Sequence, residues 1–315
     1  MNRESSSPAR RLIAAIAAVG GLALLAGCAG SAAEQPAAAG NGSSYTVEHA
    51  MGETEFDAVP ERIVVLDSPM IDALVALGIT PVGAPEIGEG RSFPAYLADE
   101  LDGTEPVGYI AEPDIDAIAN LAPDLILGSK VRHEALYSEL SSIAPTVFSE
   151  DTGTNWTEQA ELTAAAVDRS ADMQEKIEEV SARAAEVGET VGAEGTTASI
   201  VRFRADNFRL YGPETFSGSL LTDMGFDLGE RDWNEWSMME LSPELYEQID
   251  GDVVFYMSPG GDPSATTQEQ ITGLWSALPG VSGDSAYEVE DDTWMVGIGV
   301  LGANLVIDQV EELLA

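Results

Sequence analysis

Short apolar runs alternate with helical patterns along the chain from Tyr45 onwards. Residues 62–66 read Arg-Ile-Val-Val-Leu, a continuous apolar run that is typical of a strand buried on both faces. A helix with Ser68 as its N-cap is predicted from there to Leu77, and a helix over 114–121 is followed by a strand over 124–127. Because this β-α-β-α alternation is typical of doubly wound folds, the pattern predicts a mostly parallel sheet covered by helices.

The stretch from Trp156 to Val187 breaks this rhythm. It holds neither Gly nor Pro, and its apolar residues recur at helical spacing at positions 173, 177, 180, 184 and 187. One helix of this length would span about 48 Å at about 1.5 Å per residue, which exceeds the width of a small domain. The pattern therefore predicts a helix that joins two lobes, after which a strand over 198–203 resumes the alternation.

The two halves of the chain share a short internal similarity. An acidic residue, seven further residues, an aspartate and three apolar residues begin at Asp116 and again at Glu244. A weaker similarity pairs residues 77–78 with residues 224–225, where a Gly closes a predicted helix in each half. The matching order of these units predicts two related lobes on either side of the long helix.

The N-terminus has the pattern of an export signal. Three arginines precede an apolar run over residues 12–25, which is too short for a comfortable membrane span and ends in Leu-Ala-Gly-Cys at Cys28. This ending resembles the bacterial lipoprotein box, in which the cysteine is lipidated after cleavage; an ordinary secretory signal with an incidental cysteine is the alternative. We therefore expect a lipoprotein signal peptide over 1–27, and the lipidated Cys28 with a flexible Ala/Gly/Ser-rich tether over 28–44, outside the cytoplasmic membrane.

Charge and cysteine content exclude several classes of function. The chain has 55 acidic and 14 basic residues and a formal charge of −41, and cleavage after residue 27 would make this −43. Nucleic acid and anionic membrane surfaces would repel such a protein. With Cys28 as its single cysteine, the chain has no disulfide framework and no thiolate metal site.

Motifs for catalysis or for a bare metal ion are weak. The sequence from Gly297 to Gly302 fits the G-x-G-x-x-G dinucleotide pattern, but only 13 residues follow it, so we expect these glycines to permit close backbone packing near a final helix. His49, expected to face solvent, and His133, expected in a loop or at a helix start, are the only histidines, too few for a clustered metal site or a catalytic base. We therefore predict that the protein is not an enzyme.

The scarce basic residues indicate a binding cleft. Lys130 and Arg132 follow the predicted strand over 124–127, and Arg202, Arg204 and Arg209 end or follow the strand over 198–203. Ligands of open α/β sheets bind at such strand ends, so these cations predict a locally positive cleft for carboxylate, catecholate or hydroxamate oxygens. Five aromatic residues are candidates for its apolar walls or for the core: Trp294, Trp275, Tyr211, Phe216 and Tyr109.

Six segments together resemble one known family. They are Pro-Glu-Arg-Ile-Val-Val-Leu at 60–66, Ala-Leu-Gly-Ile-Thr-Pro-Val-Gly at 76–83, the run over 114–127, Tyr-Ser-Glu-Leu-Ser-Ser-Ile-Ala-Pro-Thr-Val at 137–147, Leu-Ser-Pro-Glu at 241–244 and Trp-Met-Val-Gly-Ile-Gly at 294–299. In order and spacing the chain resembles the iron-siderophore substrate-binding lipoproteins of ABC importers. The resemblance implies an α/β protein of two Rossmann-like lobes with mostly parallel sheets, over 45–155 and 189–315, joined by one long backbone helix over 156–188.

The resemblance also implies roles for individual residues. A ferric siderophore would bind between the lobes, against Arg132, Arg202, Arg204 and Trp294 first, and then Tyr211 and Lys130. Arg202 and Arg204 lie two apart on a predicted strand, so both are candidates to face the ligand.

One acidic residue on each lobe would contact the permease of the importer with its ATPase. The matching positions are Asp116 and Glu244, and Asp116 departs from the Glu that the family usually has there. The siderophore would hold the iron, so no cofactor and no protein ligand to the metal is expected, and the protein would be a monomer. Haem or cobalamin uptake by the same fold, and a surface sensory or interaction lipoprotein without transport, are the alternatives.

Overall fold

The computed structural model describes residues 44–88, 93–275 and 285–315, and the predicted signal peptide, Cys28 and nearly all of the tether lie outside these ranges. Within them, no helix is both long and apolar enough to cross a membrane. The described chain opens with an antiparallel hairpin, β1 (Tyr45–His49) and β2 (Gly52–Phe56). The Tyr45 hydroxyl donates a hydrogen bond to the carbonyl of Ala166 at 2.9 Å, which ties this hairpin to a later helix.

The N-terminal lobe is a six-stranded sheet in the order β6-β5-β4-β3-β7-β8. All neighbours are parallel except β5 and β6. The strands are β3 (Ile63–Val65), β4 (Gly83–Glu86), β5 (Glu105–Tyr109), β6 (Glu112–Pro113), β7 (Leu125–Ser129) and β8 (Thr146–Ser149), and the helices are α1 (Ser68–Ala76), α2 (Ile115–Asn120), α3 (Lys130–His133) and α4 (Tyr137–Leu140). The fully buried side chains of β3 and β7 explain the continuous apolar runs in the sequence.

Two helices, rather than one, connect the lobes. The helix predicted to be continuous from Trp156 to Val187 is α5 (Trp156–Ala166) followed by α6 (Ser170–Val191), so the prediction of a single helix is wrong. Asp168 has a left-handed backbone, with φ 54°, and breaks the helical path. The break has a tertiary cause, because α5 packs against α1 of the N-terminal lobe whereas α6 packs against later helices of the C-terminal lobe.

The C-terminal lobe is a five-stranded sheet in the order β11-β10-β9-β12-β13. Neighbours β9, β12 and β13 are parallel, and β10 is antiparallel to both β9 and β11. The strands are β9 (Ala198–Phe203), β10 (Phe208–Tyr211), β11 (Met238–Leu241), β12 (Val253–Met257) and β13 (Ala286–Glu288), and the helices are α7 (Phe216–Met224), α8 (Gln268–Thr272) and α9 (Val300–Leu314). The two-lobed α/β architecture predicted from the sequence is thus confirmed.

The N-cap of helix α1 lies one residue before the predicted one, so the helix itself begins at Ser68. Asp67, not Ser68, is the N-cap, and its carboxylate accepts a hydrogen bond from the Ser68 amide at 3.0 Å. The helix ends at Ala76, and Gly78 follows with a φ of +76°, a conformation that favours glycine.

The glycines near the C-terminus let α9 approach α1 closely. The carboxylate of Asp72, fully buried on α1, accepts hydrogen bonds from the amides of Leu301 and Gly302 at 3.0 and 2.9 Å. A Cβ on Gly299 would overlap this carboxylate, and one on Gly302 would overlap the carbonyl of Gly297. The prediction that these glycines permit close packing is therefore confirmed, and a buried acid of one lobe holds the first turn of the last helix.

Candidate functional site

A cavity of about 500 Å³ lies between the two lobes. Its N-terminal wall comes from residues just after β3, β4, β5, β7 and β8, and its opposite wall comes from β9, β10, the start of α7 and the turn before α9. This is the edge at which open α/β sheets bind ligands. Twenty described residues line it: Ser68, Ile87, Ile110, Val131, Arg132, Thr152, Gly153, Thr154, Arg202, Arg209, Tyr211, Thr215, Phe216, Ser217, Trp236, Met238, Trp294, Met295, Val296 and Ile298.

Arg132 enters the cavity from α3, directly after β7. Its Nε donates a hydrogen bond to Oδ2 of Asp67 at 3.0 Å. Asp67 is fully buried and also accepts from the Ser129 hydroxyl at 2.8 Å, so the carboxylate is held on several sides. The Arg132 side chain remains 43% exposed, which leaves donors of its guanidinium on the ligand side.

Arg202 and Arg209 lie opposite each other on neighbouring strands of the other wall. The antiparallel register pairs Arg202 on β9 with Arg209 on β10, and Arg209 with Glu240 on β11. Tyr211 comes two residues after Arg209, and alternate residues of a strand share a face. The row of two arginines and a glutamate therefore follows directly from strand pairing.

A carboxylate fixes each of these two guanidinium groups. Arg202 donates from Nη2 to Oδ2 of Asp291 at 2.9 Å, and its Nε lies 2.6 Å from Oδ1. Arg209 donates from Nε and Nη2 to Oε2 of Glu240 at 2.9 and 2.8 Å. Burial alone would lower the pKa of both arginines, but the carboxylates and Tyr211 raise the pKa of each above its ordinary value, so both stay cationic.

The rest of the wall is largely apolar. Tyr211, Phe216 and Trp236 provide aromatic surface, and Met238 and Ile298 are among the aliphatic residues beside them. Such walls suit the organic framework of a bulky ligand, with a few polar groups to orient it. Among the described residues there is no group of three or more His, Cys, Asp or Glu side chains that could hold a metal ion.

The structure brings together some of the residues predicted for ligand contact. Arg132, Arg202 and Tyr211 line the cavity. Trp294 also borders it, but its side chain is fully buried: the indole Nε1 donates to Gln309 at 2.7 Å and the ring packs 4.8 Å from Phe255. In this structure the indole therefore belongs to the core and offers no surface to a ligand.

Lys130 and Arg204 do not line the cavity. Lys130 forms an ion pair with Glu150 at 2.6 Å. Arg204 lies beyond the end of β9, in the turn to β10, where its amide donates to the carbonyl of Asn207 at 2.9 Å. Of the two arginines that the sequence left undecided, Arg202 is thus the one in the cavity wall.

Sequence reasoning missed Trp236 and gave too little weight to Arg209. Arg209 is one of the scarce basic residues near strand ends. Two antiparallel strands joined by a short turn after Phe203 would have placed it opposite Arg202. Trp236 lies in the irregular segment between α7 and β11, where no periodicity assigns a face. The other predicted aromatics, Trp275 and Tyr109, are not part of the cavity wall.

Both histidines have structural roles. His133 is fully buried; its Nδ1 accepts from the Ser129 amide at 3.2 Å, so Nε2 carries the proton and donates to the Ile110 carbonyl at 2.8 Å. His49 is half-buried and accepts at Nδ1 from the amides of Met51 and Phe148, so the expectation that it faces solvent is wrong. Burial lowers the pKa of both rings.

The two acidic residues predicted to contact a permease are exposed on the cavity side of their lobes. Asp116 lies in the first turn of α2, beside the carboxyl end of β5. Glu244 lies in the 3₁₀ turn Pro243–Gln248, directly after β11. Strand β11 runs in the same direction as β9, so both strands end at the edge of the sheet that faces the cavity. Hydrogen bonds from its own amide and from Ser242 lower the pKa of Glu244, so it is ionised at neutral pH.

Known proteins are similar to this chain over most of its length. A model of the periplasmic binding protein family matches residues 63–287. The chain is 34% identical over 302 residues to the probable siderophore-binding lipoprotein YfiY of Bacillus subtilis, covering 91% of this chain and 93% of that protein. It is 28% identical over 255 residues to the Fe(3+)-citrate-binding protein YfmC of the same bacterium, covering 80% of each.

A solved structure extends the similarity to three dimensions. Staphylococcus aureus SirA complexed with staphyloferrin B matches with a TM-score of 0.74 and 28% identity, covering 86% of this chain and 98% of that one. The resemblance to siderophore substrate-binding proteins of ABC importers that the sequence indicates is confirmed by these matches. The chain therefore belongs to the periplasmic binding protein family.

Proposed function

We propose that this protein captures a ferric siderophore between its two lobes and delivers it to an ABC permease for iron uptake. The observation that carries the proposal is the interlobe cavity, in which Arg132, Arg202 and Arg209 converge from both lobes on one space with aromatic walls. Guanidinium groups bind carboxylate, catecholate and hydroxamate oxygens, and the apolar wall covers the organic part of the chelate. The names of the similar proteins, which include binders of siderophores and of ferric citrate, support the same reading.

In this account the iron is cargo rather than a cofactor. The siderophore would supply the oxygen ligands to the metal, and the protein would recognise the outer surface of the chelate. The protein would then bind and release its ligand without chemical change.

Delivery would use the lipid anchor and the exposed acidic residues. Lipidation of Cys28 would keep the lobes on the extracytoplasmic side of the membrane, near the permease. Asp116 and Glu244 would each meet basic groups on the permease, one for each lobe. The packing of α1 against α5 and α9 favours small relative movement of the lobes on binding, and the protein would act as a monomer.

Titration of tryptophan fluorescence tests ligand binding. Trp236 lines the cavity, so a ferric chelate seated there should quench the emission of the purified full-length protein in detergent. We expect saturable quenching by one class among ferric hydroxamates, catecholates and citrate. The Arg209→Met variant should weaken binding about 10- to 100-fold, as expected for loss of a charge-assisted hydrogen bond.

The control is Arg183→Met, which removes an arginine that binds Asn304 and Asp308 on α9 and does not line the cavity. This variant should bind the chelate as the parent protein does. A flat response to the whole panel, together with saturable binding of haem or cobalamin, would contradict siderophore binding and favour uptake of those ligands.

A further inference from the structure

The charged groups of the cavity are arranged in two layers. Among the described residues that line it, the three arginines are the only ionised side chains. Behind each lies one carboxylate: Asp67 at 3.0 Å from Arg132, Asp291 at 2.6 Å from Arg202, and Glu240 at 2.8 Å from Arg209. The cavity thus presents N–H donors to its interior while the formal charge of the three pairs sums to zero.

The charged residues around the cavity add no net positive charge to it. Lys130 and Arg204 both lie outside the wall, and Lys130 is paired with Glu150. His133, next to Arg132, stays neutral at physiological pH because burial lowers its pKa. Over the whole chain acids outnumber bases by 41, so the distant field also disfavours anions.

This arrangement treats singly and multiply charged ligands differently. The cost of moving an ion from water into a poorly polar site rises with the square of its charge. The attraction from three compensated guanidinium groups rises only in proportion to that charge. A chelate with one net negative charge can therefore be stabilised by these donors, whereas one with three meets a cost that grows faster than the attraction.

We propose that the cavity selects ferric chelates of low net charge, neutral or monoanionic, and discriminates against trianionic ones such as ferric tris-catecholates. This inference rests on the proposed function and defines the charge class of its ligand. The three arginines would supply hydrogen bonds and orientation to peripheral oxygens, not a net positive charge.

The test uses ferric chelates that differ in charge. Isothermal titration calorimetry on the full-length protein in detergent would compare three probes. These are a neutral ferric tris-hydroxamate, a monoanionic ferric chelate of two hydroxamates and one hydroxycarboxylate, and a trianionic ferric tris-catecholate. We expect at least one of the first two to bind about 100-fold or more tighter than the tris-catecholate.

A variant behind the wall isolates the local charge. Glu240→Gln keeps a hydrogen-bond acceptor for Arg209 but leaves that guanidinium uncompensated, and Glu240 is itself outside the cavity wall. Glu240→Gln should lower the ratio of the affinity for the monoanionic chelate to that for the trianionic chelate about tenfold. The matched control, Glu189→Gln, removes the same charge from an exposed position on α6 and should leave the preference within about twofold.

Each outcome separates the charge class from the function. Binding of the tris-catecholate as tight as, or tighter than, that of the other chelates would overturn the charge class and leave siderophore binding standing. If Glu240→Gln and Glu189→Gln change this affinity ratio equally, the pairing of Arg209 with Glu240 does not set the charge preference. Absence of binding by all three chelates, and by ferric citrate as well, would overturn the proposed function itself, and with it this inference.

Discussion

Removal of the Arg202 guanidinium should destabilise the fold and not only weaken ligand binding. Asp291, its partner, has a side chain that is only 2% exposed, and the Arg202 side chain is 17% exposed. An Arg202→Met substitution keeps most of the side-chain volume but leaves the Asp291 carboxylate buried without its counter-ion. Breaking a buried ion pair from one side costs about 3–5 kcal/mol.

The neighbouring Arg209–Glu240 pair, whose carboxylate is exposed, is an internal control. Arg209→Met also removes a guanidinium of the cavity wall, but its partner Glu240 is 51% exposed and can be solvated by water. The expected loss of stability is therefore at most about 1 kcal/mol. The two substitutions differ in the burial of the carboxylate they leave behind.

Urea unfolding followed by circular dichroism measures both effects. A double variant, Arg202→Met with Asp291→Asn, removes the buried charge and should recover all but about 1–2 kcal/mol of the loss. A loss in Arg202→Met no larger than that in Arg209→Met, or no recovery in the double variant, would refute the reasoning that Asp291 depends on Arg202 for its charge.

Three further predictions concern the permease contact, packing and pH. Glu244→Arg should abolish ferric-chelate uptake by cells while chelate binding by the purified protein is unchanged, since the residue is exposed on the cavity side of the lobe. Loss of chelate binding, or normal uptake, would contradict a contact between Glu244 and the permease. Gly188→Ala on α6 should lower the free energy of unfolding by about 1–3 kcal/mol, because the new Cβ overlaps the carbonyl of Met224; a more stable variant would contradict the close packing of α6 on α7. The free energy of unfolding should fall as pH drops below about 6.5, by up to about 1.4 kcal/mol per pH unit for one group, because burial lowers the pKa of His133 and the unfolded chain takes up the proton first. In urea titrations at pH 7 and 5, the free energy of unfolding of His133→Gln should depend less on pH than that of the parent protein. An equal pH dependence would contradict this role of His133.

The sequence was most informative where local pattern and tertiary structure agree. The apolar run over 62–66 predicts a buried strand because both faces of β3 are covered, so every position is apolar. Such a run can be recognised from the local sequence alone. The interpretation of Gly299 and Gly302 as packing residues is confirmed, because a Cβ at either position would overlap Asp72 or the carbonyl of Gly297.

The failures come from long-range packing. Nothing in Val167-Asp168-Arg169 marks a helix end, since no Gly or Pro is present; the break arises because α5 and α6 pack on different lobes. The predicted ligand contact of Trp294 stays a prediction: the residue borders the cavity, but its side chain is fully buried, and its indole donates a hydrogen bond to Gln309 of α9. Side-chain burial of this kind depends on which elements meet, and residue spacing does not contain that information.

The same holds for the binding wall. The spacing of Arg202 and Arg204 suggested a shared face, but β9 ends at Phe203, so only Arg202 remains in the strand and in the wall. Its true neighbour is Arg209, which the antiparallel register brings opposite it. Strand ends and register set this pairing, and both depend on the turn between the strands.

Whether the interlobe cavity is the ligand site can be seen in a structure of the protein crystallised with the ferric chelate that binds most tightly in titration. We expect the chelate between the lobes, with its peripheral oxygens within hydrogen-bond distance of Arg132, Arg202 and Arg209, and with the iron ligated only by the siderophore. A chelate bound elsewhere on the protein, or iron coordinated by protein side chains, would contradict this expectation.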